Sequence, residues 1–174
     1  ARQVQIGEEN VLFRHEEKFY HPTGVAVTIR DDLNEADFSD RLKKINGLKI
    51  ARVGTEIEID LIAIINTSNN AEKFAEAAKK VSGGSHLSII LSSESVDTMK
   101  AALQNCAEKR PLIHGANAGN CEAMAGLANE KKCPMTVTAP TLEELADLAE
   151  RVKKAGVEDV VLDVSGSNPK EVLQ

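Results

Sequence analysis

A chain of 174 residues with 42% hydrophobic side chains can bury one core and is too short for two large ones. Its net charge of −6, with Lys and Arg scattered among acids, leaves no footprint for nucleic acid. The longest apolar run, Leu61 to Ile65, is far short of a bilayer span, and no charged-then-apolar signal opens the chain, so the sequence predicts a cytoplasmic protein with no membrane partner.

Aromatic content is 3% with no Trp, so the core must be aliphatic, as in packed helix-on-sheet layers. In chain order, residues 1–20 read as an N-terminal β-hairpin: Gln3 to Ile6, a turn at Gly7 to Asn10, then Val11 to His15. Residues 21–174 read as strand-helix units within the same single domain, 1–174. The first unit has strand Val25 to Ile29 and helix Asn34 to Ile45, with Phe38, Leu42 and Ile45 on one face, Asn34 as cap and Gly47 after the end. The second has strand Leu61 to Ile65 and helix Ala71 to Val81, with Gly83 and Gly84 ending it.

From there the chain cycles. Strand-like runs begin near Leu87, Leu112, Thr136 and Val160, spaced 25, 24 and 24 residues apart, each short and apolar as a strand buried on both faces should be. In the helix after the third of these, Thr141 with Glu144 forms a capping box, Leu145, Leu148 and Val152 make the stripe, and Gly156 stops it. Asn168 and Pro169 read as the start of a sixth helix.

This alternation predicts an α/β fold with a parallel sheet. The regular period and the lack of a Gly-rich loop after the first strand favour a (β/α)8 TIM-type barrel, truncated to about six strand-helix units. A full barrel needs eight units and about 250 residues, so strand edges near Val27 and Val161 are expected to be covered by another chain, a second copy or the N-terminal hairpin.

Ligands of such barrels meet the loops after the strands. Here those positions hold Asp31, Asp32, Asn66, Ser92, Ser93, Asn117, Thr138 and Asp163. Asn66, Asn117 and Asp163 could offer paired hydrogen bonds to a heterocycle such as a pterin, though Asp, Asn and Ser at strand ends also cap the next helix. The four histidines form no i, i+4 pair, and His114 is the acid-base candidate. Gly115 to Asn120 could meet an anion but lacks the Lys of a phosphate loop. Cys106, Cys121 and Cys133 are too widely spaced for a metal knuckle. No catalytic residue and no metal site is expected.

The stretch GEENVLFRHEEKFYHPTGVAV, Gly7 to Val27, resembles the start of the barrel in the large (gamma) subunit of the corrinoid iron-sulfur protein, part of the acetyl-CoA synthase/decarbonylase system. The likeness continues through Ile45 to Asn66, Arg110 to Asn117, Cys133 to Val137 and Ala155 to Asp163. The resemblance implies a methyl carrier that moves a methyl group from methyltetrahydrofolate to acetyl-CoA synthase. It implies cobalamin and a 4Fe-4S cluster elsewhere in the parent protein. It implies as partners the small subunit, a methyltransferase and acetyl-CoA synthase. The segment here has neither clustered Cys ligands nor a cobalamin domain, so it is expected to act as scaffold and docking surface, without cofactor or activity of its own. The alternatives are a pterin-binding barrel methyltransferase using Asn66, Asn117 and Asp163, and a barrel enzyme for a phosphorylated substrate.

Overall fold

The computed structural model describes residues 4–6, 21 and 23–165. Six parallel strands form one sheet: β1 (Ala26–Arg30), β4 (Leu61–Ile65), β5 (Ser88–Ser92), β6 (Leu112–Ala116), β7 (Met135–Ala139) and β8 (Val160–Val164), in that spatial order. Between them lie helices α1 (Glu35–Asn46), α2 (Ala71–Gly84), α3 (Val96–Cys106), α4 (Cys121–Lys131) and α5 (Leu142–Lys154). Each strand pairs with the next parallel strand in the sequence and the order never reverses. Closure between β1 and β8 is not among the pairings of the described residues.

Burial separates the two faces of this sheet. Ile62, Ile64, Leu91, Ile113, Met135 and Val137 are wholly buried, on the side where the helices pack. Their strand neighbours Leu61, Ile65, Ile90, Leu112 and Val161 are only half-buried, because strand side chains alternate between faces. Phe74 of α2 and Met99 of α3 are fully buried against the helical side, and Ala77, Ala78 and Ala102 let α2 and α3 approach closely. The helix starts follow the capping logic. Asn34, Asn70, Ser95 and Thr141 each accept a backbone N–H with the side chain. Lys80 of α2 ties α1 in by bonding Glu35 and then Glu76, which raises its pKa, and sits over the Phe38 ring.

The predicted units of the described residues fall where the period puts them, with ends shifted by up to three residues, the most at the end of α2. Gly83 and Gly84 form the last turn of α2, with Ser85 as cap. The N-terminal hairpin lies largely outside the described residues; Val4 to Ile6 carry no strand pairing, and Val4 and Ile6 pack beside Gly24. The sixth helix, at Asn168 and Pro169, lies outside them entirely. A different hairpin, unread in the sequence, precedes β4: β2 (Lys49–Arg52) pairs antiparallel with β3 (Thr55–Glu58). Its two-residue turn puts Val53 at φ 50° and Gly54 at φ 77°, the left-handed pair of a type I′ turn. Gly accepts this conformation and a β-branched residue resists it. Replacing the exposed Val53 with Asn is therefore expected to stabilise the chain by about 0.5–1 kcal/mol, read from the urea midpoint at unchanged slope.

The outer edges differ. In β1, Val25 O and Asp31 N bond toward β4, so Thr28 faces outward, and its carbonyl accepts from Arg41 Nη2 and Nε at 3.0 and 3.3 Å. A cation holding an edge carbonyl discourages strand addition there. At β8 the corresponding residue, Leu162, is 57% exposed. No described helix is long and apolar enough to cross a membrane.

Candidate functional site

The face of the sheet turned away from the described helices becomes polar at the strands' C-terminal ends. Register partners Arg30, Ile65, Ser92 and His114 run across β1, β4, β5 and β6, and Thr138 of β7 pairs with Asp163 of β8. Ser92 Oγ lies 3.1 Å from His114 Nδ1. His114 Nε2 lies 3.8 Å from Asp163 Oδ2, and the Thr138 hydroxyl donates to the same oxygen at 3.3 Å. One polar side chain from each of four neighbouring strands thus enters a single contact chain.

A bulge places His114 in it. The β6–β7 register slips between Ile113 and Ala116, which re-aims side chains at the irregularity. Gly115 there has φ +113°, and a Cβ would sit 2.4 Å from the Ser93 carbonyl oxygen. Only glycine admits this approach, which the Ser93 N–H to His114 carbonyl bond of 3.0 Å completes.

Two cavities flank His114. One, of about 390 Å³, is lined by Glu94, Asn117, Thr138 and Glu144 among others. The second, of about 540 Å³, is lined by Asn66, Asn69, Ser92 and Ser93 among others. Both lie in the size range of small-molecule sites. Asn66 and Asn117 line different cavities, and Asp163 stands beyond His114.

Each candidate has a traceable local role. Asn66 Nδ2 donates to Ser93 Oγ at 2.9 Å, and its Oδ1 is buried without a partner among the described residues. Asn117 Oδ1 accepts from Gly119 N at 2.9 Å and its N–H donates to Asn120 Oδ1 at 2.8 Å, the bonds of the turn into α4. Asp31, 6% exposed, accepts from Thr67 N, Ser68 N and the Ser68 hydroxyl and so ties the β4–α2 loop to β1. Asp32 holds Arg30. Glu144, which the sequence marks only as part of a capping box, and Glu94, which the sequence reading does not single out, line the first cavity.

The three thiols are buried in the helix layer and its borders. Desolvation pushes Cys106 up to about 12 and Cys133 up to about 11, and raises Cys121, so all stay protonated near neutrality. Such thiols do not suit an iron-sulfur cluster, which needs thiolates gathered around iron. Among the described residues no group of three or more His, Cys, Asp or Glu is placed to hold a metal. Neither cavity has the size of a corrinoid. Neither cofactor is therefore assigned to these residues.

Comparison with known proteins gives a consistent answer. The family described as CO dehydrogenase/acetyl-CoA synthase delta subunit matches residues 1–170. The corrinoid/iron-sulfur protein large subunit of Moorella thermoacetica is 36% identical over 160 residues, which is 92% of this chain and 36% of that protein. The acetyl-CoA decarbonylase/synthase complex subunit gamma of Methanothermobacter thermautotrophicus is 36% identical over 162 residues, 92% of this chain and 35% of that one. Subunit gamma 2 of that complex from Methanosarcina mazei is 37% identical over 163 residues, 93% and 35% of the two chains. The chain spans about a third of the length of these relatives.

Proposed function

This chain belongs to the CO dehydrogenase/acetyl-CoA synthase delta subunit family, and from that premise we propose that it is the barrel segment of a corrinoid iron-sulfur methyl carrier. Its role is scaffold and docking surface. The reaction served is movement of a methyl group from methyltetrahydrofolate to acetyl-CoA synthase. Cobalamin and the 4Fe-4S cluster belong to other segments of the parent protein, and the small subunit, the methyltransferase and acetyl-CoA synthase are its partners, working in the cytoplasm.

The observation that carries this reading is the unreversed order of six parallel strands, which grows into a barrel by adding units at one end. Leu162 marks that end: it shares a register row with Val137, wholly buried under the helices, yet is itself 57% exposed. Further strand-helix units of a longer protein would cover it and close the barrel against β1, displacing Arg41 from Thr28.

The test is association. A tagged copy of the chain is co-expressed with the small subunit of the Moorella thermoacetica protein and passed over a sizing column. A stoichiometric complex is expected. Separate elution of the two, both folded by circular dichroism, would sink the docking role. Cobalamin mixed with the chain and desalted should leave no corrinoid absorbance; retained colour would move the cofactor onto these residues.

The polar rim around His114 favours a second reading, a pterin-binding barrel methyltransferase. Saturable binding of methyltetrahydrofolate, weakened by Asp163→Ala, would favour it over the scaffold. A phosphorylated substrate fits less well, since Glu94 and Glu144 line the first cavity and, among the described residues, no Lys or Arg lines either.

A further inference from the structure

The edge strand β1 turns part of its backbone away from the sheet. Val25 O and Asp31 N bond toward β4, and alternate residues of a parallel strand serve the same neighbour. Ala26, Thr28 and Arg30 therefore present N–H and C=O outward, and each of them is exposed. The strand is rich in β-branched side chains, Val27, Thr28 and Ile29. Such an edge is a template for an incoming strand.

This edge is complementary to itself. A two-fold axis perpendicular to the sheet brings the same strand of two copies together antiparallel. Centred on Thr28, that arrangement sets Thr28 opposite Thr28 and Ala26 opposite Arg30. All of these carry outward groups, so each facing pair can exchange both of its N–H···O bonds. Facing threonines suit one another, and each Arg30 meets an alanine, whereas a register that faced Arg30 with Arg30 would oppose like charges. Arg41 of α1 stands in the way of that centre. Its Nη2 and Nε donate to the Thr28 carbonyl at 3.0 and 3.3 Å, which occupies both lone pairs of the oxygen that the central pair needs. A guanidinium does not lose its charge in a folded protein, so no ordinary change of pH releases the contact.

We propose that the β1 edge is a pairing surface for a second copy of this chain, and that Arg41 is the guard that keeps it shut. An incoming strand must take the Thr28 carbonyl from the guanidinium before the central pair can form, and the outer Ala26–Arg30 pairs depend on that centre for their register. The inference is independent of the methyl-carrier reading, because it rests on the register of β1 and the position of Arg41 and not on the partners of the chain's relatives.

Sedimentation velocity over a concentration series, with amide hydrogen exchange on the same samples, tests it. Arg41→Ala and Arg41→Met are compared with the parent chain and with Lys44→Ala, which removes one positive charge from the same helix and leaves Arg41 in place. The Arg41 variants are expected to dimerise about tenfold more tightly than the parent, with exchange slowed at the amides of Ala26, Thr28 and Arg30 and unchanged at Leu162. Lys44→Ala should associate no more than the parent. Circular dichroism checks that each variant is folded, and either Arg41 variant suffices if the other is not. The proposal is overturned if a folded Arg41 variant associates no more than the parent, if Lys44→Ala associates as tightly as the Arg41 variants, or if the dimer forms without protection of the Thr28 amide.

Discussion

Gly115→Ala is expected to cost roughly 3 kcal/mol or more of stability and to dislodge His114 from Ser92. Two independent physical effects act together. The position holds φ +113°, which an L side chain rarely adopts. The new methyl would lie 2.4 Å from the Ser93 carbonyl oxygen and 2.7 Å from its carbon, and both belong to backbone that cannot swing aside. Relief requires opening the β5–α3 loop away from β6, which breaks the Ser93 N–H to His114 carbonyl bond. The loss is read as a fall in the urea midpoint, and the displacement as a change in the His114 ring signals. A variant as stable as the parent, with His114 unmoved, would show that the bulge is not held by this contact.

Phe74→Ala should destabilise the chain by about 3–5 kcal/mol, the largest effect expected of a single truncation in the helix layer. Phe74 is 0% exposed and belongs to the one cluster that joins α2, α3 and the buried side of the strands. Its neighbours in that layer include Ala77 and Ala78, side chains too short to fill the space a missing ring leaves. The cost is therefore the lost transfer energy plus a cavity that the packed helices cannot collapse. Phe38 of α1, at 4% exposure and with Lys80 over its ring, should lose less, since its edge of the sheet is less covered. A Phe74→Ala loss no larger than that of Phe38→Ala would mean the core is not centred on α2.

Much of the architecture is legible residue by residue because it is written in local patterns. The aliphatic runs Leu61 to Ile65 and Val160 to Val164 are strands over those same residues. Thr141 with Glu144 predicts the start of α5, and Thr141 Oγ1 accepts from Glu144 N at 3.2 Å. Gly156, at φ +86°, stands where that helix stops. The β2–β3 hairpin escapes notice because its turn is Val53-Gly54, in place of the Asn-Gly or Asp-Gly pairs that announce a type I′ turn. One apolar cross-strand pair, Ile50 and Ile57, is too little periodicity to stand out.

The candidate site is legible in its members and illegible in their grouping. His114, Ser92, Thr138 and Asp163 are all identifiable as strand-end residues, but Asn66, Asn117 and Asp163 look equally well suited to act together. Which of them meet depends on strand register, on the bulge at His114–Gly115 and on the reach of an imidazole across a neighbouring strand. None of these is a property of a local window.

By itself, then, the sequence determined the order and kind of the elements, the helix caps and the aliphatic face of each strand, since backbone sterics, side-chain alternation and capping act over a few residues. Only the tertiary structure decided that the strands follow one another without reversal, that Arg41 holds the β1 edge while Leu162 of β8 stays exposed, and that His114 stands between Ser92 and Asp163. Those outcomes are fixed by pairing between segments distant in the chain, where a single residue of register decides which side chains share a face.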